Sequence, residues 1–199
     1  VPVEIFGPDG PQVETGDAQT VLFSNRSLYP LYDVQLLVQA APFIIEENPG
    51  VKVLIAGKGP EQRALVSLAD ELGLSGKVEF LGEISHDQIP YYLRSTTAYI
   101  STAHSDGASV SLLEAMACGA VPVVTDIPAN REWIRDGENG FLFPPGDAKA
   151  LAEKVGHCLR QPDMRRKARE MNIQTVRQRA QWNLNVDKLL NLYERVMAR

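Results

Sequence analysis

The sequence predicts an α/β fold, a doubly wound parallel sheet of about six strands followed by C-terminal helices. Three observations carry that expectation. Short apolar, β-prone runs alternate regularly with stretches of helical period between residues 20 and 143. The run at 51–56 is apolar apart from Lys52, as a strand covered on both faces should be. From residue 147 onward the pattern is helical only.

Each element has a local reason. Residues 1–18 form a Pro/Gly-rich lead-in without period, read as a linker, and the chain proper starts at Thr20. A first strand covers 20–25. A helix over 33–47 carries Leu36, Leu37, Ala40 and Ile44 at helical spacing and stops at Pro49-Gly50. After the strand at 51–56, an amphipathic helix runs over 61–72 to Gly73, and 78–81 is the third strand. Ser85 is placed to cap a short helix to Leu93, followed by a fourth strand at 98–101. Further on, 121–125 is the fifth strand, 129–134 a short helix, and 141–143 a sixth strand ended by Pro144-Pro145. The tail gives helices over 147–159, 163–179 and 182–198. Strand and helix in this alternation define a Rossmann-like sheet.

Composition bounds the function. The chain has 199 residues, 44% hydrophobic and 23% charged, which suits one domain with a sizeable core. A net charge of -5 argues against nucleic acid as the main partner. Cys118 and Cys158 fall in predicted helices and make no disulfide framework, so both read as reduced and buried. No apolar run approaches a membrane span and no signal-peptide pattern opens the chain, so a cytoplasmic location is expected, with a peripheral contact at the inner face of the membrane left open. Arg165, Arg166, Lys167 and Arg169 make a basic cluster, read first as a solvated helix face and second as an anionic membrane contact.

The chemistry concentrates in 105–119. The strand at 98–101 runs into a turn at Gly107; Val110, Leu112, Leu113, Met116 and Ala117 then recur at helical spacing, and Cys118-Gly119 stops the helix. Gly107, Ala108, Ser109 and Val110 would present backbone N–H groups at a helix N-terminus, where the partial positive charge favours an anion such as phosphate. Glu114 lies about two turns along that helix from Asp106, so both carboxylates can face one ligand. Anion-binding amides beside two hydroxyl-accepting carboxylates suit a sugar nucleotide.

An acidic residue, seven residues, then Glu114-Ala115-Met116-Ala117-Cys118-Gly119 resembles the acid-x7-Glu signature of the retaining GT-B glycosyltransferases of group 1. The stretches 21–26, 53–60, 78–83, 120–126 and 136–145 resemble the same family in order and spacing, and the likeness covers essentially the whole chain as the C-terminal, donor-binding half of such an enzyme. It implies an interdomain linker at 1–18, a nucleotide-sugar-binding domain at 19–199, and an N-terminal acceptor-binding domain outside this sequence. It further implies that Arg26 and the amides of residues 107–110 hold the donor diphosphate, that Glu114 accepts from the ribose hydroxyls, and that Asp106 accepts from the transferred sugar. Arg26 and Asp106 are thus the expected catalytic residues, with no cofactor beyond the nucleoside-diphosphate sugar. The last helix would cross onto the missing half, leaving Trp182, Leu189, Leu192 and Tyr193 without part of their partner surface.

Two departures stand out. The first acid is Asp106 where the family usually has Glu, and the lysine expected five or six residues after Arg26 is replaced by Leu31 or Tyr32, with the following helix favouring Tyr32. Lys58 is a candidate substitute cation that nothing in the sequence places. Gly57-Lys58-Gly59-Pro60 is not a dinucleotide fingerprint, because Gln62 stands at the third glycine position. His104 borders the pocket or serves in capping or packing. His86 and His157 lie apart from any cluster of metal-ligand spacing, so no metal site is expected. A sugar-nucleotide epimerase or phosphorylase of the same architecture, and a non-catalytic nucleotide-binding relative, remain as alternatives.

Overall fold

The computed structural model describes residues 1–16, 18 and 20–197, apart from the side chains of Lys188, Asn191, Leu192 and Arg195. Six strands, β1 (Thr20–Ser24), β2 (Val51–Ala56), β3 (Val78–Gly82), β4 (Ala98–Ser101), β5 (Val121–Thr125) and β6 (Phe141–Phe143), form one sheet in the order β3-β2-β1-β4-β5-β6. Every neighbouring pair is parallel. The helices are α1 (Val34–Glu47), α2 (Gln62–Glu71), α3 (Ile89–Ser95), α4 (Val110–Cys118), α5 (Pro128–Arg131), α6 (Ala148–Arg160), α7 (Pro162–Arg179) and α8 (Trp182–Met197). The expected doubly wound sheet of about six strands is the fold observed.

Alternation along the strands sends side chains into two separate cores. Leu22, Val53 and Ile55 join the core under α1, α2 and α6, while Val21, Phe23, Leu54 and Ala56 join the one under α3, α4 and α7. A sheet covered on both faces explains why β1, β2 and β5 read as near-continuous apolar runs. Strand order then fixes the location of the crevice. It reverses direction between β1 and β4, and the carboxyl ends of strands at such a switch point open a cleft that no crossover helix closes.

Several local details differ from expectation. Helix α3 begins at Ile89 rather than at Ser85, because the Ser85 hydroxyl donates to Gln88 Oε1 instead of capping a backbone amide, and Pro90 sits in the first turn. A 3₁₀ turn, Pro30–Tyr32, that the sequence pattern did not signal precedes α1. Helix α5 is shorter than the expected span over 129–134 and starts earlier, at Pro128. Gly119, as expected, ends α4; its φ of +87° is a left-handed cap whose N–H reaches the carbonyls of Ala115 and Met116.

The lead-in packs on the body of the protein. Phe6 has no exposed surface and belongs to the α3–α4–α7 core. Arg94 on α3 donates from its guanidinium to the carbonyls of Ile5, Gly7 and Pro11. The expected linker boundary falls at residues 18 and 19, and residue 19 lies outside the described residues. On α8, Trp182, Leu189 and Tyr193 are at least half exposed; the Leu192 side chain and residue 198 lie outside the described residues. Within the basic cluster, Arg165 donates to the carbonyls of Cys158 and Leu159, and Arg169 reaches the Pro8 carbonyl, so two of its four cations tie elements together.

Candidate functional site

Arg26 leaves β1 and Asp106 follows β4, which brings them to the switch point from the two adjacent strands. The Arg26 guanidinium donates from Nη2 to Asp106 Oδ2 at 2.7 Å and from Nη1 to Ser109 Oγ at 2.9 Å. One face of the same group lies over the Tyr32 ring, with Cζ 4.3 Å from the ring centroid. Arg26 is 7% exposed, and its Nε is buried without a partner among the described residues.

Helix α4 supplies the rest. Ser109 is the N-cap, its hydroxyl accepting from the Leu112 amide as well as from Arg26. The amides of Val110 and Ser111 belong to the first turn, where no carbonyl lies four residues back within the helix. Gly107 donates its N–H to Asp106 Oδ1 at 3.0 Å, so that amide is already engaged. Gly107, Ala108 and Val110 are exposed, whereas Ser109 and Glu114 are buried. Asp106 lies on the loop before α4 rather than two helical turns from Glu114 as expected; one turn of α4 buries Glu114, and that burial pushes its carboxyl pKa upward against the opposing pull of His86.

His86, on the loop after β3, contacts Glu114 Oε1 through Nε2 at 3.2 Å and meets Phe6 edge to face at 5.2 Å. Sequence reasoning passed over it because the partner is 28 residues away, on another element. Tyr99, in the middle of β4, was also missed. Its phenol is fully buried, has no hydrogen-bond partner among the described residues, and is pushed up to about 12 by burial, against the opposing pull of Arg26. His104 pairs with Asp33 at 2.9 Å and donates its backbone N–H to the Leu31 carbonyl, which ties the loop after β4 to the loop after β1.

An apolar cavity of about 500 Å³ opens against this helix, lined among others by His86, Val110, Leu113, Glu114, Trp133 and Trp182. A carboxylate at its wall and apolar surface around it suit a group with hydroxyls on one side and a flat apolar body on the other. The loop 57–59 packs on the loop after β1, with the Leu28 amide donating to the Lys58 carbonyl at 3.0 Å. A side chain at Gly59 would overlap the Leu28 carbonyl, and one at Gly57 would overlap that of Arg26, so these glycines allow the loops after β1 and β2 to touch. Lys58 pairs with Glu83 at 2.6 Å on the surface. Among the described residues no group of three or more His, Cys, Asp or Glu side chains could hold a metal ion.

The crevice lies where doubly wound α/β sheets bind their ligands, and the comparisons with known proteins give the family. A profile of the glycosyl transferases group 1 matches residues 10–175, and the chain belongs to that family. A phosphatidyl-myo-inositol mannosyltransferase of Mycobacterium leprae is 33% identical over 179 residues, covering 89% of this chain and 47% of that protein. The chain thus spans about half the length of that relative. Among solved structures, a glycosyltransferase from Rickettsia africae superposes with a TM-score of 0.89 at 20% identity, over 99% of this chain and 55% of the other. Anabaena HepE, solved in complex with UDP and glucose, superposes with a TM-score of 0.81 at 21% identity, over 96% and 55% of the two chains. No helix among the described residues is long and apolar enough to cross a membrane.

Proposed function

We propose that this chain is the donor-binding domain of a metal-independent, retaining glycosyltransferase that moves a hexose-type sugar from a nucleoside diphosphate to an acceptor. The observation that carries the proposal is the convergence of Arg26, the first-turn amides of α4 and the buried Glu114 on one crevice at the β1/β4 switch point. In this reading the diphosphate lies against Arg26 and the α4 N-terminus, where fixed donors stabilise the charge that develops as it departs. The ribose hydroxyls donate to Glu114, the base fills the apolar cavity beside His86, and Asp106 accepts from the sugar. The bond from the anomeric carbon to the diphosphate oxygen breaks, and one to an acceptor oxygen forms with release of its proton.

The acceptor half of the cleft would come from an N-terminal domain, onto which the exposed apolar face of α8 would pack. The cytoplasm, with peripheral contact at the inner membrane face, is the location we assign. Similarity to a protein named phosphatidyl-myo-inositol mannosyltransferase, whose name includes a phospholipid, supports the membrane contact. A second reading, nucleotide binding without transfer, is favoured by the engagement of both Asp106 oxygens by Arg26 and Gly107.

Two experiments test the assignment. Calorimetric titration of this chain with a panel of nucleoside diphosphates and their sugars should give saturable binding, and its absence throughout would refute the donor site. Transfer or hydrolysis of the donor by the full-length protein would eliminate the non-catalytic reading.

A further inference from the structure

The segment between β1 and α1 is built as a support. Tyr32 ends the 3₁₀ turn, with its N–H bonded to the Tyr29 carbonyl at 2.9 Å, and its ring packs against the α1–α2–α6 core. Its own carbonyl accepts from the buried Thr102 hydroxyl at 2.8 Å, and the neighbouring Leu31 carbonyl accepts from the His104 amide at 3.0 Å. Asp33 follows at φ +44°, a left-handed conformation uncommon for a residue with a side chain. It does not cap α1 with its carboxylate, although it stands at the N-cap; the carboxylate goes instead to His104. Four bonds and one unfavourable backbone conformation therefore fix the place of one ring, and that ring lies under the Arg26 guanidinium.

A ring and a carboxylate restrain a guanidinium in different ways. Asp106 occupies an N–H and offsets the charge. An aromatic face attracts the cation without consuming a donor and without supplying a negative charge, so the in-plane N–H groups stay available to a ligand. When phosphate oxygens replace Asp106, the ring contact can persist and hold the guanidinium where it was. We propose that Tyr32 is a positioning residue for the leaving diphosphate: its ring keeps Arg26 in place through the exchange of Asp106 for phosphate. This inference rests on the donor-site reading given above.

The test separates the two. In the ligand-free chain, the Arg26 Hε and Hδ resonances should carry a ring-current shift that Tyr32→Phe keeps and Tyr32→Leu abolishes. Calorimetry with UDP, GDP, ADP and inorganic pyrophosphate should show Tyr32→Leu weakening the binding of the diphosphates about 3- to 30-fold, with Tyr32→Phe close to the wild type and binding of the matching nucleoside unchanged. Tyr32→Met supplies a second ring-free variant should Tyr32→Leu unfold. Wild-type binding that the ring-free variants leave intact, or equal loss for nucleoside and diphosphate, would overturn the role of Tyr32 and leave the donor site standing. Failure of the wild type to bind any of these ligands would overturn the donor site itself, whatever the resonances show.

Discussion

Arg26 and Asp106, 80 residues apart in sequence, meet in a charge-assisted hydrogen bond of 2.7 Å with side chains 8% and 18% exposed. The pair offsets its own charge, so on the proposed donor site an incoming diphosphate would exchange places with the carboxylate. Asp106→Asn should therefore tighten binding of inorganic pyrophosphate and of nucleoside diphosphates by roughly tenfold, the scale of a charge-assisted bond of ~1.5 kcal/mol. Turnover of the sugar donor by the full-length protein should fall in the same variant. Isothermal titration beside steady-state kinetics reads both, and weaker pyrophosphate binding would contradict the exchange.

Arg26 should matter more to turnover than to ground-state affinity. The diphosphate gains charge as it leaves, and removing one preorganised donor raises a barrier by about 2.7–4 kcal/mol. Arg26→Ala is expected to lower kcat of the full-length enzyme about 100- to 1000-fold with a smaller change in KM. Near-normal kcat would exclude the leaving-group role.

Glu114 links stability to binding with opposite signs. Burial raises its carboxyl pKa in the folded protein above the ordinary value of 4.5, so the protonated form favours the folded state, and that contribution is lost as pH rises through the folded value. Glu114→Gln removes the penalty. Its Tm should equal or exceed that of the wild type at pH 7, and the difference should shrink as pH falls toward 4. Nucleoside diphosphate affinity should drop by ~1.5–3 kcal/mol, while inorganic pyrophosphate is little affected. A Tm gap that widens on acidification would mean that the carboxylate is held in its charged form instead.

Chelation should leave nucleotide binding nearly unchanged, since the proposed site meets the diphosphate with a guanidinium and helix-terminal amides rather than a set of acidic ligands. The check is titration in EDTA against titration with added magnesium. Affinity that appears only with the metal would place an ion between protein and diphosphate.

Much of this was legible in the residues because it is local. A strand covered on both faces has to be largely apolar, which made β2 readable, and the end of α4 at Gly119 was marked by its glycine; the interval from Asp106 to Glu114, read as two turns of one helix, is instead a loop over 106–109 followed by one turn of α4. What stayed hidden depends on distant partners. The strand order that opens the crevice is not encoded in any short interval. His86 became part of the site only when the loop after β3 closed over Glu114, and Tyr99 looked like any other apolar strand residue. Tyr32 was noticed for what it replaced, whereas its contact with Arg26 depends on a 3₁₀ turn that Pro30 initiates and the loop after β4 stabilises.

Phe6 sets a mechanical boundary. With no exposed surface, and with Arg94 holding the carbonyls on either side of it, this residue cannot swing without opening the core; losing such a contact costs about 3–5 kcal/mol. The contacts of Phe6 with the core and of its flanking carbonyls with Arg94 thus tie the lead-in to α3 and the sheet. The lead-in around Phe6 moves with the sheet, and His86 and Glu114 ride with it as part of the same lever arm.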